Sequence, residues 1–229
     1  MKKKATRFFD KFSNEYETQD RYKYLFYRWL ISKIIQGIDR KKTTIIDLGT
    51  GNGALAIRIA KKIPQAKIIG IDVSEGMLRH AKEKTKCLGI DNIRYEVSPI
   101  EDFNKRQADF VVSNLAFHHV NDKQKAITRI YRALKKGGKL IIGDWFKPDQ
   151  GYKERIDGIR RRNRKLAVEF DRSWSQALKE RSKEYTRQHP KEYPVSPTQL
   201  RNIMKEVGFV KQRIIMCPLA TFAVVISEK

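Results

Sequence analysis

The sequence predicts an α/β protein whose sheet has seven strands, mostly parallel, with an antiparallel hairpin at the C-terminal end. Three observations lead to this doubly wound fold. Short apolar runs alternate with segments in which apolar residues recur at helical spacing. A glycine-rich turn joins the first apolar run to the first of these helical segments, and two further apolar runs close the chain. With 229 residues, of which 40% are hydrophobic, the chain is long enough to bury one such core.

The parallel part of the sheet is predicted from five apolar runs with helical segments between them. Ser74 is a typical N-cap for one of these helices, and Gly89 is typical of its C-terminal end. Because parallel strands are joined by right-handed crossovers, the alternation places helices on the faces of the sheet. The predicted strands are 43–48, 66–72, 93–97, 108–114 and 139–145, and the predicted helices are 53–63, 75–89 and 122–136. A last helix, which ends at Gly208, precedes the hairpin strands at 210–217 and 219–227.

Two segments lie outside this alternation, and both are rich in aromatic residues. We predict that residues 1–42 form an N-terminal helical lid and that the insertion 147–194 forms a helical cover. Between and after them lie a core that contains the glycine-rich turn (43–146) and a C-terminal helix with the hairpin (195–229), all within one domain. The aromatic and apolar residues that recur near helical spacing are Tyr22, Leu25, Phe26 and Trp29 in the first segment and Phe170, Trp174, Leu178 and Tyr185 in the second.

The charge balance is strongly basic, with 49 Lys and Arg against 26 Asp and Glu, for a net charge of +23. The excess is spread along the chain, which is more typical of a soluble, lysine-rich protein than of one nucleic-acid footprint. One local run, RRRNRK at Arg160–Lys165, stands out. It is interpreted as a solvated helix face, with a phosphate-contacting patch as the alternative.

The sequence also bears on the protein's compartment. Its apolar runs are all shorter than the roughly 20 residues of a membrane span, and no apolar stretch follows the basic N-terminus as in a secretory signal. Cys87 and Cys217 lie far apart and lack metal-ligand spacing. Isolated cysteines of this kind are typical of a reducing compartment, so we expect a cytoplasmic protein without a bound metal.

The stretch TTIIDLGTGNG (43–53) is typical of a strand and turn that bind a nucleotide-like ligand. Gly49, Gly51 and Ala54 satisfy a relaxed dinucleotide fingerprint. However, Asp47 precedes the first glycine, and Gly53 adds a third. A dinucleotide oxidoreductase usually has a separate substrate domain as well, and this chain has no room for one. The pattern therefore favours a different ligand.

DLGTGNG, in a parallel sheet closed by a C-terminal hairpin, resembles the class I methyltransferases, Rossmann-like enzymes that use S-adenosylmethionine. The resemblance implies that the glycine backbone lies beneath the methionine and ribose parts of this cofactor, which leaves as S-adenosylhomocysteine. It also implies that one acid meets the cofactor's ammonium group and that another, at the end of the second strand, accepts hydrogen bonds from the ribose. The implied cofactor-binding residues in this region are Asp47, Gly49, Thr50, Gly51, Asn52, Asp72 and Val73.

The third strand is followed by VSPIEDF, where many class I methyltransferases carry a glycine–aspartate–alanine triplet. Ser98 stands where the aspartate is expected to meet the adenine amino group. The resemblance therefore implies that adenine is held near Ser98, by the backbone of Pro99 and Ile100, or by Glu101 or Asp102.

The fourth strand runs into SNLAFHHV (113–120), which resembles the ubiquinone/menaquinone-biosynthesis C-methyltransferases. The resemblance implies that Asn114 and Leu115 line the methionine end of the cofactor. His118 or His119 is the candidate catalytic base, because histidine changes protonation near neutral pH. The alternative is that the pair caps or packs under the next helix. The N-terminal RFFDKFSNEY is also similar to that group and adds Tyr16 as a candidate catalytic residue.

The reaction implied is an in-line displacement at a sulfonium methyl, in which the protein holds the nucleophile in attack geometry. The fourth strand is followed by neither a cysteine nor the proline–proline–aromatic motif of amino-group methylation in nucleic acids. A small or amphiphilic acceptor is therefore favoured. An RNA or nucleoprotein methyltransferase and a non-catalytic cofactor-binding protein are the alternatives.

Overall fold

The strands form one seven-stranded sheet in the order β3-β2-β1-β4-β5-β7-β6. The computed structural model describes residues 2–18, 24–38, 43–104, 107–179, 183–217 and 221–229. β1 to β5 are mutually parallel where they pair, and β7 is antiparallel to both of its neighbours. The strands are β1 Thr44–Leu48, β2 Lys67–Asp72, β3 Ile93–Val97, β4 Ala108–Asn114, β5 Leu134–Trp145, β6 Val210–Met216 and β7 Phe222–Glu228. The predicted fold, with its C-terminal antiparallel hairpin, is confirmed.

The helices cover both faces of this sheet. Successive residues of a strand point to opposite faces, and accordingly Ile45 lies in one buried cluster with α3 and α4, while Ile46 lies in another with α6 and α10. The helices are α1 Lys2–Lys11, α2 Ser13–Thr18, α3 Leu25–Gln36, α4 Ala54–Lys62, α5 Glu75–Cys87, α6 Lys123–Ala133, α7 Gln150–Arg162, α8 Arg164–Lys179, α9 Lys183–Gln188 and α10 Pro197–Val207. In the described part of the chain, no helix is both long and apolar enough to cross a membrane.

Helix ends follow the local signals in most places. Ser74 accepts a hydrogen bond from the Met77 amide at the start of α5, as its N-cap role predicts. Ser196 and Gln199 form a capping box at the start of α10, which ends at Gly208 in the left-handed conformation. Two predicted boundaries are wrong, and they have one cause. The helix expected to reach residue 136 ends at Ala133, and the strand expected to begin at residue 139 begins at Leu134, because Leu134 is already paired with Ala108 of β4.

The insertion after β5 divides between three places. α7 contributes Tyr152 and Ile156 to the cluster on one face of the sheet. α8 contributes Ala167 and Phe170 to the cluster on the other face. α9 packs instead on α1, where Tyr185 joins the N-terminal phenylalanines. Tyr22 and Pro218 lie outside the described residues, as do the side chains of Tyr16, Trp174 and Leu178.

The N-terminal segment is divided as well. Leu30 and Ile34 of α3 are fully buried against β5 and β7, so this helix belongs to the core of the domain. α1 lies elsewhere, against α5 and α9. Residues 1–42 are therefore divided between the core of the domain and a position against α5, where α1 and α2 both pack, and a lid role for α1 and α2 stays a prediction.

Candidate active site

Polar side chains meet at the carboxyl edge of the parallel strands. Asp47 lies near the end of β1, Asp72 ends β2, Asn114 ends β4 and Asp144 lies near the end of β5. Because β1 and β4 are paired neighbours in the centre of the sheet, the loops that follow them face each other. Ligands of open α/β sheets bind in this crevice. We call the β1–β2 side its first half and the β4–β5 side its second half.

The glycine-rich turn of the first half depends on backbone conformations that favour glycine. Gly49, Gly51 and Gly53 have φ angles of 69°, 54° and 78°. A Cβ on Gly49 would lie 2.2 Å from the Cβ of Ala116 in the loop after β4, so the two loops approach closely there. A Cβ on Gly51 would meet no atom of the described residues within 4 Å. The turn is thus packed tightly on one side and open on the other.

Asp47 is a buried carboxylate beneath this turn, with 1% of its surface exposed. It accepts a hydrogen bond of 2.7 Å from the Thr50 hydroxyl. Burial raises its pKa to about 7, and the nearby Asp72 acts in the same direction. A cationic group bound beside Asp47 would reverse that shift, so the environment suits a ligand that carries an ammonium group.

Asp72 holds two turns together at the end of β2. One carboxylate oxygen accepts from the Gly51 amide at 2.8 Å, and the other accepts from the Ser74 amide at 3.0 Å. Burial raises its pKa, while these hydrogen bonds act in the opposite direction. Each carboxylate oxygen has a second lone pair for a ligand hydroxyl. Val73, which follows, is partly buried beside it.

The turn after β3 is fixed mainly through its backbone. The Ser98 amide donates to the Asp72 carbonyl at 2.8 Å. The Ile100 side chain lies in a buried cluster, and the contact of its backbone and that of Pro99 with adenine stays a prediction. Val97, at the end of β3 and paired with Asp72, is 53% exposed and was not among the predicted site residues.

The end of β4 begins the second half of the crevice. Asn114 carries a buried side-chain oxygen that has no hydrogen-bond partner within the described residues. Leu115 has a φ of 53°, unusual for a residue with a branched side chain, while its amide donates to the Gly143 carbonyl at 2.9 Å. Strained backbone and unpaired buried polar atoms are both typical of functional sites. Thr50 and Asn52, across the crevice, are buried.

His118 is held by Asp144, a residue that the sequence analysis did not identify. The His118 Nδ1 lies 2.7 Å from one Asp144 oxygen, and the His118 amide donates to the other at 2.9 Å. The Trp145 amide also donates to Asp144. Since the carboxylate accepts at Nδ1, the imidazole lone pair lies on Nε2, which is 3.8 Å from Glu192.

His119 is in a different environment, although it is the next residue. Its Nδ1 is buried and has no hydrogen-bond partner in the part of the chain that is described. Burial, together with the neighbouring His118, His189 and Lys123, lowers its pKa to about 2. Its ring packs against Phe9 of α1 at 5.4 Å between centroids. His119 therefore stays neutral over the physiological range.

The end of the insertion crosses directly over this histidine pair. The Tyr193 amide donates to the His118 carbonyl at 2.7 Å. Lys123 donates from its buried ammonium group to the carbonyls of Tyr193 and Val120, and burial lowers its pKa to about 8. Residues about 70 positions apart in the chain are thus joined at the site.

α1 contacts both halves of the crevice. On the first half, an Asp10 oxygen accepts from the Ser74 hydroxyl at 2.6 Å and from the Gly76 amide at 3.0 Å, at the start of α5. On the second half, Phe9 contacts His119, and Phe8 lies 5.2 Å from the ring of His189. Phe8 and Phe12 also pack against Tyr185 of α9. α1 and α9 together therefore stand over the carboxyl edge.

Most of the predicted site residues converge on this crevice. Tyr16 stays a prediction, because its side chain lies outside the part of the chain that the structure describes. Asp10, Asp144, His189 and Glu192 were missed. Asp10 lies within RFFDKFSNEY, but nothing in that stretch indicates its contact with the start of α5, and His189 and Glu192 lie in the insertion, far from the motifs. A run of GDW at the end of β5, directly across from SNLAFHH in a parallel sheet, was the one local signal for Asp144.

Comparison with known proteins agrees with this geometry. A profile of the methyltransferase domain family matches residues 39–208. The ubiquinone/menaquinone biosynthesis C-methyltransferase UbiE of Escherichia coli O1:K1 is 31% identical over 113 residues, which are 48% of this chain and 45% of the relative. The chain thus spans about half the length of the curated relatives that it matches.

Solved structures with the same fold include two methyltransferases. A SAM-dependent methyltransferase from Aquifex aeolicus has a TM-score of 0.61 and 20% identity, with 86% of this chain and 88% of that one covered. Phosphoethanolamine N-methyltransferase 2 of Haemonchus contortus, in complex with phosphomonomethylethanolamine and S-adenosylhomocysteine, has a TM-score of 0.62 and 21% identity, with 91% and 45% covered. The fold, the crevice and the matched domain lead to one conclusion: the chain belongs to the methyltransferase domain family, within the class I methyltransferases that use S-adenosylmethionine.

Proposed function

We propose that this protein transfers a methyl group from S-adenosylmethionine to a small-molecule or lipid-like acceptor, with His118 as the base. The observation that carries the proposal is that the two halves of the crevice lie next to each other and present different groups. The first half presents buried carboxylates and an open glycine turn. The second half, across the Gly49–Ala116 contact, presents a histidine oriented by Asp144.

The crevice fits S-adenosylmethionine on three counts, two in its first half and one at the end of β4. Asp47 is a buried acid whose raised pKa would be relieved by the ammonium group of the methionine part. Among the described residues, no atom lies within 4 Å of a Cβ placed on Gly51, so the turn is open there. The Asn114 oxygen is buried without a partner and can accept a hydrogen bond from a ligand. When bound, S-adenosylmethionine supplies a methyl group already activated by the adjacent positive sulfur.

His118 is better suited than His119 to accept a proton from the acceptor. A general base works best when its pKa lies near the operating pH. With a pKa of about 2, His119 is too weak a base. His118 is held by Asp144 through Nδ1, which leaves Nε2 to take a proton and stabilises the imidazolium that forms.

The surroundings of His118 favour a small or lipid-like acceptor. The groups that line the region below α1 and α9 are mainly rings, namely Phe9, His119, Trp145 and His189. Rings of this kind bury apolar molecules and stack on planar ones. The names of the relatives, which refer to quinone biosynthesis and to phosphoethanolamine, agree with this class of acceptor.

The nucleic-acid alternative depends on the basic run at Arg160–Lys165. Arg160 is partly engaged with Asp171 at the junction of α7 and α8. The remaining charge on this surface is compatible with solvation, so the run adds no specific argument for RNA.

The acceptor class can be tested with cofactor labelled in its methyl group. The protein is incubated with this cofactor and a cell extract, which is then separated into RNA, protein, lipid and small-molecule fractions. We expect label in the lipid or small-molecule fraction. The Asp47→Asn variant is the control, since its weaker cofactor binding should reduce labelling when the cofactor is kept below its Kd. Label that depends on Asp47 but appears only in RNA or protein would contradict the proposal.

A further inference from the structure

Two histidines and a glutamate lie together in the second half of the crevice. His118, His119 and Glu192 each present one ligand atom, and these atoms all lie within 4.8 Å of one another. We propose that this cluster binds a divalent transition-metal ion of the Zn²⁺ class. Two imidazoles and one carboxylate are a donor set that suits Zn²⁺ and leaves a coordination position open.

His118 has the arrangement expected of a metal ligand. Its Nδ1 is 2.7 Å from the buried carboxylate of Asp144, which directs the Nε2 lone pair toward Glu192, 3.8 Å away. Histidines that bind metals commonly donate their second ring nitrogen to a carboxylate in this way. Asp144, near the end of β5, accepts hydrogen bonds from the amides of His118 and Trp145. Its carboxylate is therefore fixed and holds the His118 ring in one orientation.

His119 provides an independent observation. Its Nδ1 is buried and, within the described residues, has no hydrogen-bond partner. The same ring forms a hydrogen bond with the Lys191 backbone. Because Nδ1 has no partner within the described residues, we assign this bond to Nε2. An unsatisfied ring nitrogen in a buried site costs free energy. A metal ion between His118 and His119 would satisfy it.

Glu192 completes the cluster from the insertion. Its side chain is 31% exposed, and it lies 3.8 Å from His118 Nε2 and 3.5 Å from His189 Nδ1. This exposure gives an ion a path from solvent. The buried ammonium group of Lys123 is nearby, but it is directed at the carbonyls of Val120 and Tyr193. The competing arrangement is a protonated His118 that bridges Asp144 and Glu192 without any ion.

A bound metal ion would take the Nε2 lone pair that His118 needs as a base, and this effect on activity rests on the proposed function. Zn²⁺ should therefore inhibit methyl transfer, and removal of the ion by a chelator should restore it. Metal binding itself requires neither cofactor nor acceptor, so the two proposals can fail separately.

The test measures metal binding by the full chain with Zn²⁺ alone, by calorimetry, and with Co²⁺ alone, by visible absorption. Cys87 is exposed and is a competing ligand, so all proteins carry Cys87→Ser. We expect one ion per chain, with affinity reduced at least tenfold in His119→Ala and in Glu192→Gln. Thermal unfolding verifies that each variant is folded. His80→Ala, which changes a histidine on α5, is the matched control and should bind as tightly as the parent.

Two results would overturn the metal site. One is the absence of binding by the folded parent protein at micromolar ion concentrations. The other is binding that His80→Ala weakens as much as the cluster variants do, which would indicate scattered surface ligands. If one ion binds at the cluster yet leaves methyl transfer unchanged, the site stands and the role of His118 as base is refuted.

Discussion

The two halves of the crevice are held by different parts of the chain. In the first half, Asp47, Gly51 and Asp72 lie within 26 residues, and the hydrogen bonds between them stay within β1, β2 and the turns that follow. In the second half, His118 is joined to Asp144 of β5 and to Tyr193 of the insertion. α1 then contacts both halves.

This difference affects how rigidly the proposed cofactor site and the proposed acceptor site are held. A site made from a single strand–turn–helix–strand unit keeps its geometry as long as the sheet is intact. A site that depends on α1, α9 and residues 189–193 also depends on whether those segments remain docked. We therefore expect the first half to be rigid and the second half to be the part that opens for the acceptor.

The strongest test of the comparison is His118→Asn. The Asn amide can still donate to Asp144, but it provides no basic nitrogen. If His118 is the base, methyl transfer should fall by about 10²- to 10⁴-fold while cofactor affinity is unchanged. Turnover and calorimetry with S-adenosylhomocysteine measure the two effects. His80→Asn is the control, and equal turnover of His118→Asn and the parent would remove His118 from catalysis.

Asp47→Asn tests the electrostatics of the first half. Burial raises the pKa of Asp47 from 3.8 to about 7, so between these pH values the folded protein holds a proton that the unfolded chain has lost. The free energy of unfolding of the free protein should therefore fall as the pH rises through this window, by at most about 4 kcal/mol.

The Asn variant is neutral throughout and should lose this pH dependence, while its cofactor affinity falls by about 1.5–3 kcal/mol. Urea unfolding at pH 5 and pH 8 measures the slope, with the exposed Asp91→Asn as control. A variant with the same slope as the parent would show that Asp47 is not the responsible group.

Gly51→Ala and Gly89→Ala form a matched pair with a smaller expected effect. Both glycines have positive φ angles, 54° and 62°, and in the part of the chain that is described a Cβ at either would meet no atom within 4 Å. Each substitution should therefore cost about 1–2 kcal/mol of stability through backbone strain. Only Gly51→Ala should also weaken cofactor binding, because its Cβ would enter the open side of the turn. Equal cofactor affinities in the two variants would place the ligand elsewhere.

Hydrogen exchange tests the proposed difference in mobility, where we expect the smallest effect. The amides of α1 and α9 should exchange faster than those of β1 and β4 in the free protein, and they should gain protection when S-adenosylhomocysteine binds. Tyr185→Ala should enlarge the difference and raise the acceptor KM by a few fold. If neither helix exchanges faster than the sheet or gains protection, the cover is permanent packing.

The first half of the site could be predicted because its signals are local. Positive φ angles in a tight turn favour glycine, and an acid at the end of a parallel strand faces the crevice. DLGTGNG and Asp72 were therefore sufficient to predict which residues meet in this half of the crevice. The choice between His118 and His119 could not be made in the same way. It depends on Asp144, which is 26 residues away and is brought to His118 by the pairing of β4 with β5.

The sequence by itself determined the order of strands and helices along the chain, the N-cap of α5, the C-terminal end of α10 and the class of ligand. These follow from periodicity, caps and turns, which act over a few residues. Only the tertiary structure decided that residue 134 begins a strand, since sheet pairing there overrides helix propensity. It also decided that α1 lies across both halves and that Glu192 meets the histidine pair, because contacts between segments 64 or more residues apart arise only when the core has folded.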